Sequence, residues 1–167
     1  MTVGFQNGAL KATNSPAFFA STNTTQTNVT GDGTLYTIPF DDEVFDIGNN
    51  YNAGTGVFTA PVAGIYAFST YVLLQGITAA HNFLRFSILI NGNQFSRCII
   101  DPSKVFQASF GEFTPSSVLT AVRLAVNDQV SVQLDVSGST LVVDVFGDSA
   151  GVLRHVTNFS GRLIVEE

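Results

Sequence analysis

Few residues in this chain could do chemistry. There is one cysteine, Cys98, and there are two histidines, His81 and His155. A reactive thiol needs a depressed pKa. Cys98 lies between Arg97 and Ile99-Ile100 in an alternating run. Arg97 then points to the other face of a strand, and Cys98 reads as a small buried apolar residue. A single cysteine also forms no intramolecular disulfide. A zinc site needs further Cys, Asp or Glu ligands at close spacing, and neither histidine has them. Both histidines fall in loop-like sequence and read as solvated. A glycosidase needs two carboxylates close in space. Asp42, Glu43 and Asp46 could supply them, yet a DDE run equally suits a solvated turn. No G-x-S-x-G elbow is present. Gly54-Thr55-Gly56 has no Lys-Ser/Thr after it and no helix to open, so it cradles no phosphate. These residues argue for a chain without catalysis.

The elements that position these residues alternate with a period of two. In Leu84, Phe86, Ile88 and Ile90 the even positions are apolar, while Arg85 and Ser87 face the other way. Asn91-Gly92-Asn93 follows, a strong hairpin signal. Val118, Val122, Leu124 and Val126 repeat the pattern, and Asn127-Asp128 turns the chain. Val130, Val132, Leu134 and Val136 alternate with polar residues up to a turn at Ser137-Gly138-Ser139. Leu141 to Phe146 reads as the return strand, and Gly147 to Gly151 ends it. Phe159, Gly161, Leu163 and Val165 close the pattern. No window has a helical period. Many short strands with regular turns predict an antiparallel sandwich or jelly roll.

Ser21 to Thr30 reads as an exposed loop or edge segment, and residues 1–14 as a flexible arm before one domain, 15–167. Some strands are apolar on both faces, which in an antiparallel sheet calls for a second cover. A neighbouring copy is the economical cover, with Phe83, Leu89, Leu119 and Ala121 as interface candidates.

Composition agrees. Of 167 residues, 45% are hydrophobic and 12% charged, where about 25% charged is usual. A chain this long folds with roughly 70% of its surface buried, and disorder is excluded. A net charge of −6 and only seven basic residues exclude a duplex nucleic-acid binder. The N-terminus lacks the basic cap and apolar stretch of a signal peptide. No segment approaches the roughly 20 apolar residues of a membrane span. An outward location therefore calls for another route, such as release in a virus particle. Asn-X-Ser/Thr sequons occur at Asn23, Asn28 and Asn158 and matter only in a eukaryotic secretory route.

The run FDDEVFDIGNNYNAGTGVFTAPVAGIYAF, from Phe40 to Phe68, resembles the signature of the complement C1q-type globular head. Phe40, Asp46, Tyr51, Phe58, Gly64, Tyr66 and Phe68 stand at the family's intervals. The last signature aromatic falls at Thr70, a departure, with Tyr71 adjacent. Pro16 to Ala20 is similar to the family's first strand, and Phe159 to Leu163 to its last. The segment TQTNVTGDGTLYTIPF is similar to those of bacterial, phage and large-virus members.

The resemblance implies an all-β, ten-stranded antiparallel jelly roll assembling as a homotrimer, the architecture of tumour-necrosis-factor-like ligands. It implies a non-enzymatic module that recognises protein or carbohydrate surfaces multivalently, in an extracellular, cell-surface or virion-associated place. It also implies calcium as a candidate ligand. Asp41, Asp42, Glu43, Asp46, Asp144 and Asp148 are the candidate oxygen donors, without a diagnostic spacing. Two alternatives stand beside it: a purely structural trimerisation, virion or tail component, and a glycan-active enzyme. Loop substitutions separate binder from scaffold, and a carboxylate substitution tests the enzyme.

Overall fold

The computed structural model describes residues 2–6, 9–13, 15–105, 112–113, 118–148 and 155–167. The strands, in chain order, are β1 (Thr2–Gln6), β2 (Ala9–Thr13), β3 (Ala17–Ser21), β4 (Thr24–Thr30), β5 (Leu35–Thr37) and β6 (Asp42–Ile47). Next come β7 (Tyr51–Asn52), β8 (Val57–Thr59), β9 (Gly64–Tyr71), β10 (Leu74–Gln75), β11 (Phe83–Ile90) and β12 (Asn93–Ile100). After a four-residue helix, α1 (Pro102–Val105), follow β13 (Glu112–Phe113), β14 (Val118–Leu124), β15 (Gln129–Ser137), β16 (Val143–Asp148) and β17 (Asn158–Glu166).

Two large antiparallel sheets face each other. One runs β14-β9-β17-β3-β6. The other runs β12-β11-β15-β8-β7, with β5 also on β15. A smaller sheet, β13-β10-β16-β4, adjoins them. This is the all-β antiparallel sandwich that the alternation predicts. The expected arm carries the β1–β2 hairpin, with Thr2 opposite Thr13.

The period of two decides what is buried. Along β9 the burial alternates strictly, with Gly64, Tyr66, Phe68 and Thr70 inside. Phe18 from β3 stacks on Tyr51 at 4.7 Å and on Phe58 at 5.1 Å, and Phe159 from β17 meets it edge-on at 5.0 Å. Each such ring buries about 150–250 Å², so the signature aromatics are core. The facing sheet adds Leu84, Phe86, Ile88, Val130, Val132, Leu134 and Val136, all fully buried.

Turn chemistry follows the sequence. Asn91 (φ 51°) and Gly92 (φ 77°) join β11 to β12 in a two-residue loop. Both central φ values are positive, as a type I′ turn requires. Asn127 (φ 71°) and Gly138 (φ 106°) mark the two later turns.

Two boundaries differ from expectation. The return strand begins at Val143, not Leu141. Ser139 N–H donates to Gly31 O at 3.1 Å, so the chain is still turning, and pairing starts with Val143 opposite Thr30. β14 ends at Leu124, opposite Gly64 where β9 begins, which leaves Val126 exposed in the turn. Ser21 to Thr30 is the edge segment of the two expected alternatives, with β4 at the edge of the smaller sheet. Ser149 to Gly151, read as a turn, lies outside the described residues.

Candidate functional site

The outward face of the β14-β9-β17-β3-β6 sheet departs from a solvated surface. Residues opposite the core alternate outward along β9 as Ile65, Ala67, Ser69 and Tyr71. Register places Ala121 and Arg162 on either side of Ala67, and Leu119 and Ser160 on either side of Ser69. Phe19 and Phe45 continue the second row, and Ala17 and Ile47 the first. The middle of the face is therefore small, and its β6 edge is large and apolar. Phe45 is 48% exposed and stacks on Phe19 at 6.3 Å.

Between them lies a shallow recess of about 400 Å³, whose walls include Phe19, Phe45, Ala67, Ser69 and Ser160, with Arg162 at its rim. Its shape and lining suit an apolar side chain better than an ion.

At one end of this face a polar chain crosses three segments. Ser21, 1% exposed, donates its hydroxyl proton to Asp42 Oδ2 at 3.1 Å. Ser21 Oγ also lies 2.8 Å from His155 Nδ1. Residue types match a hydrolytic triad but the order does not. Nucleophile activation needs the imidazole between serine and carboxylate, whereas here the hydroxyl lies between them. The chain braces β3 against β6 and the turn before β17, and His155 packs edge-on to Phe19 at 5.7 Å.

Four of the acids expected as calcium donors, Asp41, Asp42, Asp46 and Asp144, have separate hydrogen-bond partners. Asp41 Oδ1 accepts Asn23 N–H at 2.9 Å, and Asp46 Oδ2 accepts Tyr51 N–H at 2.7 Å. Asp144 Oδ1 accepts Asn28 N–H at 2.6 Å. Glu43 is exposed on the β6 edge, and Asp148 pairs with Thr24 in the smaller sheet. Among the described residues no three His, Cys, Asp or Glu side chains group as a metal site.

The interface candidates fall in two sheets. Leu119 and Ala121 lie on β14, with Ala121 exposed; the Leu119 side chain lies outside the described residues. Phe83 and Leu89 lie on β11 in the other sheet. Phe83 is half-buried, with the Arg85 guanidinium 5.8 Å from its ring centre, while Arg85 pairs with Asp135 at 2.8 Å. Leu89 is only 5% exposed, so its own chain already covers it and little remains for a second copy.

Both histidines correct the solvated reading. His155 is half-buried in the brace, and His81 has no exposure at all. The His81 ring accepts Thr78 N–H at Nδ1 (2.9 Å), and burial pushes its pKa below the usual 6.5. Cys98 is half-buried on β12 and packs against the core.

The sequence reading missed the small outward residues Ala17, Ala67, Ser69 and Ser160. The signal was present: the outward positions of GIYAFSTY carry no charge.

The sequence pattern of the C1q domain matches residues 17–164. Among solved structures, the globular domain of zebrafish complement 1qA protein is 18% identical. That match covers 91% of this chain and 99% of the zebrafish chain, with a TM-score of 0.58. Murine APRIL at pH 8.5 is 13% identical over 89% of this chain and 98% of its own, also with a TM-score of 0.58. At these identities the neighbours establish the fold. No helix among the described residues is long and apolar enough to cross a membrane. The pattern match spans the paired strands from β3 to β17, and on it the chain belongs to the C1q domain family.

Proposed function

We propose that this chain is a non-enzymatic recognition head that works as a homotrimer outside the cell or on a virion. The observation that carries the reading is the outward face of the five-stranded sheet. Phe45, Ile47 and Val165 are about half exposed there, around a floor of Ala67, Ala121, Ser69 and Ser160. Small residues let a second backbone approach closely, and the exposed apolar rim stabilises the contact when buried, by about 25 cal/mol per Å². Head-to-tail contacts of this kind close into a ring around a three-fold axis. Membership of the C1q domain family supports three as the number. Three copies then raise apparent affinity for a patterned surface through effective concentration.

Light scattering at several concentrations tests the assembly. The expected mass is near three times 17.8 kDa. Ala67→Glu, which puts a charge at the centre of the face, should give a folded monomer. A trimer mass for both Ala67→Glu and Phe45→Glu would remove this face as the interface. With a chelator added, the same measurement tests calcium; an unchanged mass would exclude it from assembly.

A further inference from the structure

A second concavity lies where three connections meet at one end of the sandwich: β6 to β7, β8 to β9 and β14 to β15. It is an open groove of about 970 Å³, within the usual range for ligand sites of about 300–1,000 Å³. It shares no lining residue with the recess on the five-stranded sheet. Its wall carries Asn49 and Asn52 on one side, Asn127 and Gln129 on the other, and Thr59 between; no Asp, Glu, Lys, Arg or His lines it.

We propose that this groove binds an uncharged carbohydrate, an inference that rests on the recognition reading above and names the ligand class. The amides of Asn49, Asn127 and Gln129 are exposed and make no hydrogen bond with another described side chain or backbone group. Asn52 commits its Oδ1 to the N–H groups of Gly54 and Thr55, at 3.0 and 3.2 Å, which leaves its NH₂ as the group to donate to a ligand. A primary amide offers two donors and an acceptor side by side. Neighbouring sugar hydroxyls each donate and accept, so they satisfy such amides in pairs. Val57 and Pro61 give the floor apolar contact for the C–H faces of a sugar ring.

Competing occupants fit less well. Phosphate, sulfate and sialic acid call for arginine or lysine, and the lining has neither. A protein partner calls for a buried anchor such as an exposed aromatic or arginine. The groove's aromatic, Tyr51, is buried, with its hydroxyl donating to Phe40 O at 3.2 Å.

The backbone that carries the display is also fixed in advance. Asn49 (φ 56°) and Asn127 (φ 71°) are left-handed, a conformation asparagine accepts. Asn127 N–H donates to Ala60 O at 2.8 Å and Ala60 N–H to Asp128 O at 2.9 Å, which clamps the turn across the groove. Little backbone entropy is then lost on binding.

An array of immobilised neutral and anionic oligosaccharides tests the assignment on the full chain. Neutral glycans should be bound in preference to sialylated or sulfated ones. Asn127→Gly/Gln129→Ala removes two amides without backbone strain and should weaken binding at least tenfold, with mass and Tm unchanged. Preference for anionic glycans, undiminished neutral binding by the variant, or an intact trimer that binds no glycan would each overturn the groove and leave the assembly reading standing. A monomer that binds neutral glycans through these amides would support the groove and overturn the multivalent reading.

Discussion

Gly161 on β17 stands opposite Phe18 on one side and Phe68 on the other. A methyl group there would lie 2.6 Å from the rings of both. The two aromatics close over the backbone because nothing else occupies the space. Gly161→Ala should cost about 1–3 kcal/mol through overpacking. At about 2–4 °C per kcal/mol for a chain this long, thermal unfolding should show a drop of several degrees. His81 makes a second residue-scale prediction. Unfolded, it takes a proton near pH 6.5; folded, burial holds its pKa lower. Between those values the unfolded chain binds more protons, so stability falls with acid. Urea midpoints should be level above about pH 6.5 and decline below it, and His81→Gln should flatten the decline. That burial was not legible in the sequence. A histidine flanked by Ala80 and Asn82 looks solvated, and only the fold of the whole segment encloses it.

At the scale of elements, signals that depend on a few neighbouring residues are legible in the sequence, and pairing between distant strands is not. Asn91-Gly92 was legible because its conformation depends on two residues. Its structure adds a tie the sequence did not announce. Asn91 Nδ2 donates to Asp128 Oδ1 at 2.8 Å, and Asn91 Oδ1 accepts Gln129 N–H at 2.9 Å, so the hairpin is anchored to the neighbouring turn. The bond from Asn91, with the Ala125 N–H, holds the Asp128 carboxyl below its usual pKa. Gly92 itself has open space around it. Gly92→Val should therefore act through backbone conformation alone. A left-handed non-glycine residue costs about 1–2 kcal/mol, to be read as a lower urea midpoint with unchanged slope. Pairing across sheets has no such local signature. Phe83, Leu89, Leu119 and Ala121 look alike along the chain, yet β11 and β14 belong to different sheets. The floor of the outward face is made of alanines and serines, which a search for large apolar residues does not select.

At the scale of the whole molecule, the two proposals divide the labour between concavities on different faces: a recess on the five-stranded sheet for another copy, and amides at the loop end for a ligand. Assembly and recognition should then fail independently. Ala67→Glu should lower the mass while single-site glycan affinity persists, and the loop variant should do the reverse. Titration calorimetry beside light scattering reads both quantities on each variant. Coupled loss in either variant would mean that the groove is completed by a second copy.

β3 opens and β17 closes side by side: Arg162 pairs with Ala17, and Leu163 N–H donates to Pro16 O at 2.9 Å. The chain thus enters and leaves the sandwich at one end. Antiparallel ladder bonds lie across the strands, so a pull that separates these two points runs along the bonds and opens them in succession, like a zipper. A tether on one side alone loads no such seam. Under tension the head would be durable when held by one point and easily peeled when held by both.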